Sequence, residues 1–335
     1  MKYLKEFNIH NDYLDYIASS IFASLDSDSV SYCVQQNDVH FNKYVPETKL
    51  VCKYNVTSTS EPTVLRTNYE QNIFKSMEID DVMLDNLVTE YIFETTGIHT
   101  VKYELYNDTG IGNAAPAFNN TYLTEIIIPD SVVNIYPLAF FGCSNLTNVT
   151  FSNNLEYIDA QAFMNCSSLT SITIPDSVIQ INDNAFHSSG ITSVTIGSGV
   201  RFISNSAFNN CNNLTNITIP DTVTGIGTYG FANCDNLISV TIGNGVTNID
   251  YGAFGSGSNI TSVTIGSGVT SIGDYAFSGC INISSMTIQA TTPPTVNSNT
   301  FSGSYPIYVP AESVEIYKTA SSWSDYIDRI QAIQE

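Results

Sequence analysis

A phrase of 23 residues recurs along the middle of the chain and limits the folds that the chain can adopt. It reads Leu-Thr-Ser-Ile-Thr-Ile-Pro-Asp-Ser-Val-x-x-Ile, followed by Ala-Phe-x-x-Cys. A fixed period of about 20 to 50 residues is typical of proteins built from stacked repeats. The copies begin at Leu123, Leu146, Leu169, Ile191, Leu214, Leu237, Ile260 and Ile283, and their aromatic positions are Phe140, Phe163, Phe186, Phe208, Phe231, Phe254 and Phe277.

Each copy has the pattern of one turn of a coil. Ile172 and Ile174 alternate with polar residues, which is the period of a strand with one buried face. The Pro-Asp dipeptide that follows predicts a corner, and the later Ala-Phe pair can fill the inside of the turn. A single copy cannot close its own core, but stacked copies can. We therefore predict a parallel-strand solenoid of about eight repeats over residues 123–304.

The positions Leu-x-x-Ile-x-Ile-Pro-x-Ser-Val-x-x-Ile and Ala-Phe-x-x-Cys resemble the BspA-like class of leucine-rich repeats, which is also seen in treponemal repeat proteins. The resemblance covers a little over half of the chain and implies a leucine-rich-repeat solenoid. The repeats alone imply a BspA-like bacterial surface adhesin. Fold by itself does not assign function, because function lies in sites carried on the fold.

Charge and hydropathy exclude several partners. The formal net charge is −21, with 11 Lys and Arg against 32 Asp and Glu. Nucleic acid and anionic lipid require basic surfaces, so we expect neither as a partner. No apolar run reaches the roughly 18 residues of a membrane span, and the first residues lack a signal-peptide pattern. The acidity fits either a calcium site or cationic partner, or simple solubility.

One outward position of the predicted strand is almost always threonine. The residues at this position are Ile127, Thr150, Thr173, Thr195, Thr218, Thr241, Thr264 and Thr287. A flat ladder of hydroxyl groups could meet a glycan or another flat surface. Threonine also suits a half-exposed strand without any ligand. Both interpretations stay open, and the seven threonines are candidate surface-contact residues.

A second candidate column is aromatic. Tyr136, Tyr157, Tyr229, Tyr251 and Tyr275 fall near the same corner of their repeats. Tyrosine is favoured at recognition surfaces, but it also packs well along the edge of a solenoid. We treat these tyrosines as the best candidates for contact with a partner.

The seven cysteines do not have the spacing of a metal site. Five occupy one repeat position, where a small buried side chain is expected, and two lie near the N-terminus. We expect free thiols, and whether Cys33 pairs with Cys52 stays open. The repeat-position cysteines are Cys143, Cys166, Cys211, Cys234 and Cys280.

No enzyme signature is present. The four histidines, His10, His40, His99 and His187, have no neighbouring ligand or nucleophile at a useful spacing. Residues 225–230 match a dinucleotide-binding fingerprint by letters, but they lie inside a repeat without the strand-turn-helix context. We therefore predict no catalytic, metal or cofactor-binding residues.

The two ends differ from the repeats. Residues 1–24 have the pattern of a helix suited to docking or oligomerisation, and residues 25–106 have that of a small antiparallel β-domain, for which an immunoglobulin-like arrangement is one option. Residues 107–122 are predicted to form a linker and N-terminal cap, and residues 305–335 a strand-helix cap. The predicted fold class is thus mainly β.

The N-terminal region carries a second resemblance. The segments SVSYC at 29–33, NDVHFN at 37–42 and YIFETTGIHTV at 91–101 resemble virion proteins of gut Bacteroides phages, including the crAss-like group. This resemblance implies a virion structural protein, such as a head fibre, that is assembled in the host cytoplasm. Its implied partners are other virion proteins, further copies of the chain in a dimer or trimer, and a host-surface glycan or protein. The alternative is an adhesin at the bacterial cell surface.

Overall fold

The computed structural model describes residues 30–35, 38–43, 49–66, 74–105, 110–111, 118 and 122–334. The chain divides into two compact units, Met1–Thr48 and Lys49–Glu335. In the first unit, strands β1 (Val30–Gln35) and β2 (Asp38–Lys43) pair antiparallel, as the sequence predicts. The predicted helix over residues 1–24 lies outside the described residues.

The second unit begins with antiparallel strands. They are β3 (Leu50–Val56), β4 (Thr63–Val64), β5 (Phe74–Ile79), β6 (Val82–Met83), β7 (Glu90–Tyr91) and β8 (Gly97–Leu105). Strand β8 lies between β3 and β5, while β6 pairs with the other side of β5. Strands β4 and β7 form a separate pair.

The repeats that follow form two sets of strands. In chain order they are β9 (Gly110–Ile111), β10 (Leu123–Ile127), β11 (Asn134–Ile135), β12 (Asn148–Thr150), β13 (Tyr157–Ile158), β14 (Ser171–Thr173), β15 (Gln180–Ile181), β16 (Ser193–Thr195), β17 (Phe202–Ile203), β18 (Asn216–Ile219), β19 (Gly225–Ile226), β20 (Ser239–Ile242), β21 (Asn248–Ile249), β22 (Ser262–Ile265), β23 (Ser271–Ile272) and β24 (Ser285–Ile288). The odd-numbered strands β9 to β23 form one parallel sheet of eight short strands. The even-numbered strands form a second parallel face, in three hydrogen-bonded groups.

The first long strand joins the antiparallel sheet directly to the solenoid. Strand β10 pairs in parallel with β12 on one side and antiparallel with β3 on the other. Lys53 lies opposite Glu125 across this junction, and the two side chains form an ion pair. The open edge of the first solenoid strand is therefore covered by backbone pairing.

A column of phenylalanine rings fills the centre of the coil. Consecutive rings from Phe118 to Phe301 stack at centroid distances between 5.0 Å and 6.0 Å. These rings are buried, as are Ile172 and Ile174 of the strand pattern. The prediction that the alternating aliphatics and the Ala-Phe pair point inward is confirmed.

Hydrogen bonds connect the predicted corner of one turn to the corner of the next turn. The Asp176 carboxylate accepts a hydrogen bond from the backbone N–H of Ser198 in the following turn, at 2.6 Å, and this bond lowers the pKa of Asp176. A Cβ atom added at Gly199 would overlap the carbonyl group of Asp176. The Gly-Ser-Gly corners are thus required by close stacking of the backbone.

The repeat-position cysteines make hydrogen bonds that the sequence did not reveal. Each thiol donates to the carbonyl oxygen of a phenylalanine in the preceding turn, as Cys211 does to Phe186 at 3.2 Å. Two copies lack cysteine at this position: in one the Ser189 hydroxyl donates to the carbonyl oxygen of Phe163 at 2.8 Å, and in the other the residue is Gly257. All five thiols, and that of Cys52, are free and buried. Burial raises the pKa of Cys234 to about 12, so this thiol stays protonated at neutral pH.

We expect Cys211→Ala to lower the free energy of unfolding by about 0.5–1.5 kcal/mol, because the Phe186 carbonyl would lose one of its two donors and keep only the backbone N–H of Ser189. Cys211→Ser keeps a donor, as Ser189 does at the matching position, and should cost less than the alanine variant. Urea denaturation of both variants measures the difference. Equal losses would show that the thiol hydrogen bond contributes nothing.

The C-terminal cap contains β25 (Ile307–Val309), the short helix α1 (Val314–Thr319), two 3-10 segments (Ala311–Ser313 and Ser321–Arg329) and β26 (Ile330–Ala332). Strand β25 extends the long-strand face beyond β24, and β26 adds a further parallel strand. The helical part is broken into short segments, and β26 was not foreseen. The fully buried Trp323 donates from Nε1 to the carbonyl oxygen of Pro294 at 2.8 Å.

The fold class predicted from the sequence is confirmed: the protein is mainly β, with an antiparallel sheet on the N-terminal side, a parallel-strand solenoid and a small C-terminal helix. The domain boundaries stay a prediction. In the part of the chain that the structure describes, no helix has the length and apolar character needed to cross a membrane.

Candidate functional site

The threonine column lies on the long-strand face. Thr218, Thr241, Thr264 and Thr287 are in direct register on neighbouring parallel strands, and Thr173 is in register with Thr195. The side chains of Thr264 and Thr287 are half-buried, whereas Thr150, Thr173, Thr195, Thr218 and Thr241 are exposed. The arrangement is a row of hydroxyl groups with a spacing of about 4.8 Å between adjacent strands. It suits a flat contact, and it also satisfies the strand preference of threonine.

The structure brings together three of the five candidate tyrosines. Tyr229, Tyr251 and Tyr275 form a contiguous cluster, with centroid distances of 5.4 Å and 5.3 Å between successive rings. Tyr157 lies in β13, and Tyr136 directly follows β11, both in earlier turns. Three of the five candidates thus lie together, and the other two lie apart from them. We call these three residues the tyrosine cluster.

The rings of the tyrosine cluster are only partly buried. Their residues are 41%, 42% and 40% exposed, in chain order. Tyr229 and Tyr251 are nearly perpendicular, at 88°, while Tyr251 and Tyr275 are inclined at 58°. The cluster therefore presents aromatic faces and edges to solvent in a corrugated arrangement.

Backbone geometry holds these rings in place. Tyr229 and Tyr275 have positive φ values of 57° and 60°, at a position that is left-handed in every turn from Leu138 to Tyr275. The equivalent residue in the turn between them is Gly252, also at φ 60°. A Cβ atom there would lie 2.6 Å from the Tyr229 ring, so the glycine makes room for that ring. The tyrosine of this turn stands one position earlier, at Tyr251.

A shallow groove of about 220 Å³ lies along the cluster. Its polar lining comes from Asn233, Ser256 and Ser278 on the same three turns. The Asn233 amide is oriented by a hydrogen bond from its Nδ2 to Asn209 Oδ1, at 3.1 Å. Sequence reasoning missed these residues and Gly252. The one available signal was the glycine in a column that other turns fill with larger residues.

The residues that line the groove are uncharged. The Tyr229 hydroxyl raises the pKa of Tyr251, and Asp274 lies near enough to contribute to this shift, so the Tyr251 phenol is protonated at neutral pH. Partial burial raises the pKa of the neighbouring Asp250 carboxyl. Arg201 is the one cationic residue between positions 123 and 301 of the sequence. The groove thus offers aromatic surface and uncharged hydrogen-bonding groups.

The described residues contain no group of three or more His, Cys, Asp or Glu side chains arranged to hold a metal ion. Both ring nitrogens of His99 contact groups of the protein. Nδ1 lies 2.6 Å from Asp80 Oδ2, and Nε2 lies 2.9 Å from the carbonyl oxygen of Thr95. Burial lowers the pKa of His187. His10 lies outside the described residues, and no side chain is described for His40.

Comparison with known families agrees with the geometry of the coil. The sequence pattern described as the BspA type leucine rich repeat region matches residues 109–201 and 179–308, in six copies. The matched region is more than half of the chain. The chain belongs to the BspA type leucine-rich repeat family. No curated protein sequence matches this chain.

Solved structures of leucine-rich repeat proteins match this BspA-type chain, one of them with a TM-score above 0.5. A leucine-rich repeat protein from Bacteroides ovatus matches at 20% identity, covering 85% of this chain and 70% of its own, with a TM-score of 0.51. A leucine rich cell surface protein from Faecalibacterium prausnitzii matches at 20% identity, with coverages of 70% and 88% and a TM-score of 0.31. The T. pallidum leucine rich repeat protein matches at 22% identity, with coverages of 51% and 78% and a TM-score of 0.31.

Proposed function

We propose that this BspA-type protein is a non-enzymatic attachment protein whose solenoid contacts a host surface. The observation that carries the proposal is the tyrosine cluster, in which three partly exposed rings are held by the stacked turns of the coil. Tyrosine is enriched among the residues that dominate binding energy at interfaces. Solenoids offer extended surfaces that suit such contacts.

We place this protein on a virion, as a head fibre or similar appendage. The support is the resemblance of about the first 105 residues to virion proteins of Bacteroides phages. In this arrangement the N-terminal region docks onto other virion proteins, and the chain assembles as a dimer or trimer in the host cytoplasm. Several copies on one particle raise the effective strength of individually weak contacts.

A bacterial surface adhesin is the second candidate. Membership of the BspA type family favours it, because the repeats alone carry that resemblance. Both candidates use the solenoid for contact and differ in what carries it. A chain on a virion is recovered with the particle, whereas an adhesin is recovered with the cell envelope.

Quantitative mass spectrometry of purified virions and of host envelope fractions separates the two candidates. We expect the protein in density-purified virions at a constant ratio to the major capsid protein. A variant that lacks residues 1–48, the first compact unit, should be lost from the particles while the host still produces it. Recovery in the envelope fraction, with none in virions, would contradict the virion location and support the adhesin.

A further inference from the structure

We infer that the groove along Tyr229, Tyr251 and Tyr275 binds one neutral sugar residue of a surface glycan. The inference rests on the attachment function proposed above and names the chemistry of the ligand. It follows from three properties of the groove: its fixed aromatic rings, its uncharged lining and its hydrogen-bonding rim.

The aromatic rings are not required by the fold. The left-handed backbone position occupied by Tyr229 and Tyr275 is filled by Asn184 and Ser206 in other turns. A tyrosine there stays exposed on two-fifths of its surface, so it contributes less to the core than the buried phenylalanines do. Bulky residues are uncommon in this backbone region. The concentration of rings in three adjacent turns therefore points to a ligand.

Residues of the same three turns pack against each other and are joined by hydrogen bonds. Gly252 leaves space for the Tyr229 ring, which a Cβ atom at that position would contact at 2.6 Å. The backbone N–H of Tyr229 donates to the carbonyl oxygen of Tyr251 at 2.9 Å, and Asn299 Nδ2 donates to the Tyr275 hydroxyl at 3.2 Å. The rings are thus held before any ligand arrives, which lowers the entropy cost of binding.

The absence of charge selects among ligands. Tyr, Asn, Ser, Ala and Gly residues line the groove, so an anion finds no cationic partner there and a cation finds no carboxylate in the lining. A fully apolar ligand would leave the polar lining unpaired, which is unfavourable. A neutral ligand with both C–H faces and hydroxyl groups satisfies the two kinds of surface. A sugar ring has this combination.

The positions of the groups fit such a ring. The electron-rich face of a phenol attracts the weakly positive C–H groups of a sugar. Ser256 and Ser278 can each donate and accept hydrogen bonds, and the Asn233 amide offers both a donor and an acceptor. Because Tyr229 and Tyr251 are almost perpendicular, they form a corner for one ring rather than a flat platform for several.

The test is a glycan-array measurement with the full chain displayed as a tetramer, because a shallow site binds weakly as a single copy. We expect binding to at least one uncharged glycan. Tyr251→Ala should weaken single-site binding to that glycan about tenfold, the size expected when one interface anchor is truncated. Tyr251→Phe keeps the ring and should retain most of the binding.

The matched control is Tyr157→Ala, which removes a tyrosine from a turn outside the groove. We expect it to bind as the natural chain does. Thermal unfolding of each variant confirms that the solenoid is intact. The inference is overturned by an array without any bound neutral glycan, or by equal weakening in Tyr251→Ala and Tyr157→Ala.

Adhesion to Bacteroides cells separates failure of the sugar site from failure of the attachment function. Treatment of the cells with periodate, which cleaves sugar diols, should abolish adhesion, whereas protease treatment should not. Adhesion that is lost only with protease, or that Tyr251→Ala retains in full, overturns the sugar site and leaves attachment standing. A chain that adheres to no cells contradicts the attachment function as well.

Discussion

Replacement of Phe208 by alanine is expected to lower the free energy of unfolding by about 3–5 kcal/mol, the usual cost of removing a buried aromatic ring. Phe208 is fully buried and stacks on Phe186 at 5.2 Å and on Phe231 at 5.1 Å. Each turn of a solenoid contacts mainly its neighbours. The variant should therefore weaken the middle of the coil and uncouple its two ends.

Urea denaturation with two probes checks this result. Circular dichroism follows the whole coil, and the fluorescence of Trp323, the single tryptophan, follows the C-terminal cap. We expect the two transitions to coincide in the natural chain and to separate in Phe208→Ala. The control is Ile238→Ala, whose side chain is 48% exposed, and it should change stability by no more than about 0.5 kcal/mol. A loss under about 1 kcal/mol in Phe208→Ala would contradict the stacked core.

Trp323→Ala is expected to cost a similar amount, about 3–5 kcal/mol, but to act at one end of the coil. Trp323 packs edge-on against Tyr317 at 4.8 Å and lies 5.8 Å from Phe301, the last ring of the stack. Its loss would also leave the buried carbonyl of Pro294 without a donor. The terminal strands should therefore open before the rest of the solenoid does.

Hydrogen exchange measures this local opening. We expect faster exchange in β25 and β26 of Trp323→Ala and unchanged exchange in the short strands from β11 to β17. Trp323→Phe keeps a ring but loses the hydrogen bond, so its cost should be about 1–3 kcal/mol. Ile327→Ala, at a 39% exposed position of the same segment, is the control. A uniform loss of protection along the coil would contradict a local cap.

The cysteine column shows which properties of the core the sequence repeat predicts and which it does not. Its recurrence predicts a small buried side chain, and the thiols are indeed buried. The hydrogen bond from Cys211 to Phe186 crosses 25 residues of sequence and appears only when one turn lies on another. Ser189 makes the equivalent bond and Gly257 has no side-chain donor at this position, so the column requires a small residue rather than cysteine itself.

The candidate site was predicted less completely than the core. The recurrence of tyrosine indicated five candidate residues, of which three lie together, while Tyr136 and Tyr157 stand apart from the cluster. Clustering depends on the left-handed backbone position and on the space left by Gly252. The left-handed position recurs from turn to turn, but residues of different types occupy it, so the sequence does not reveal it. The space at Gly252 depends on the Tyr229 ring in the adjoining turn.

The sequence alone determined the coil, its inward-facing residues and its corners, because a phrase repeated every 23 residues buries its apolar face by stacking on its own copies. Only the tertiary structure decided how the two ends of the coil are covered and which tyrosine rings cluster on its surface. The pairing of β10 with β3 joins segments about 70 residues apart, as in the hydrogen bond from Thr124 to Lys53. Such pairings and the tyrosine cluster arise from distances between turns, which a local pattern does not contain.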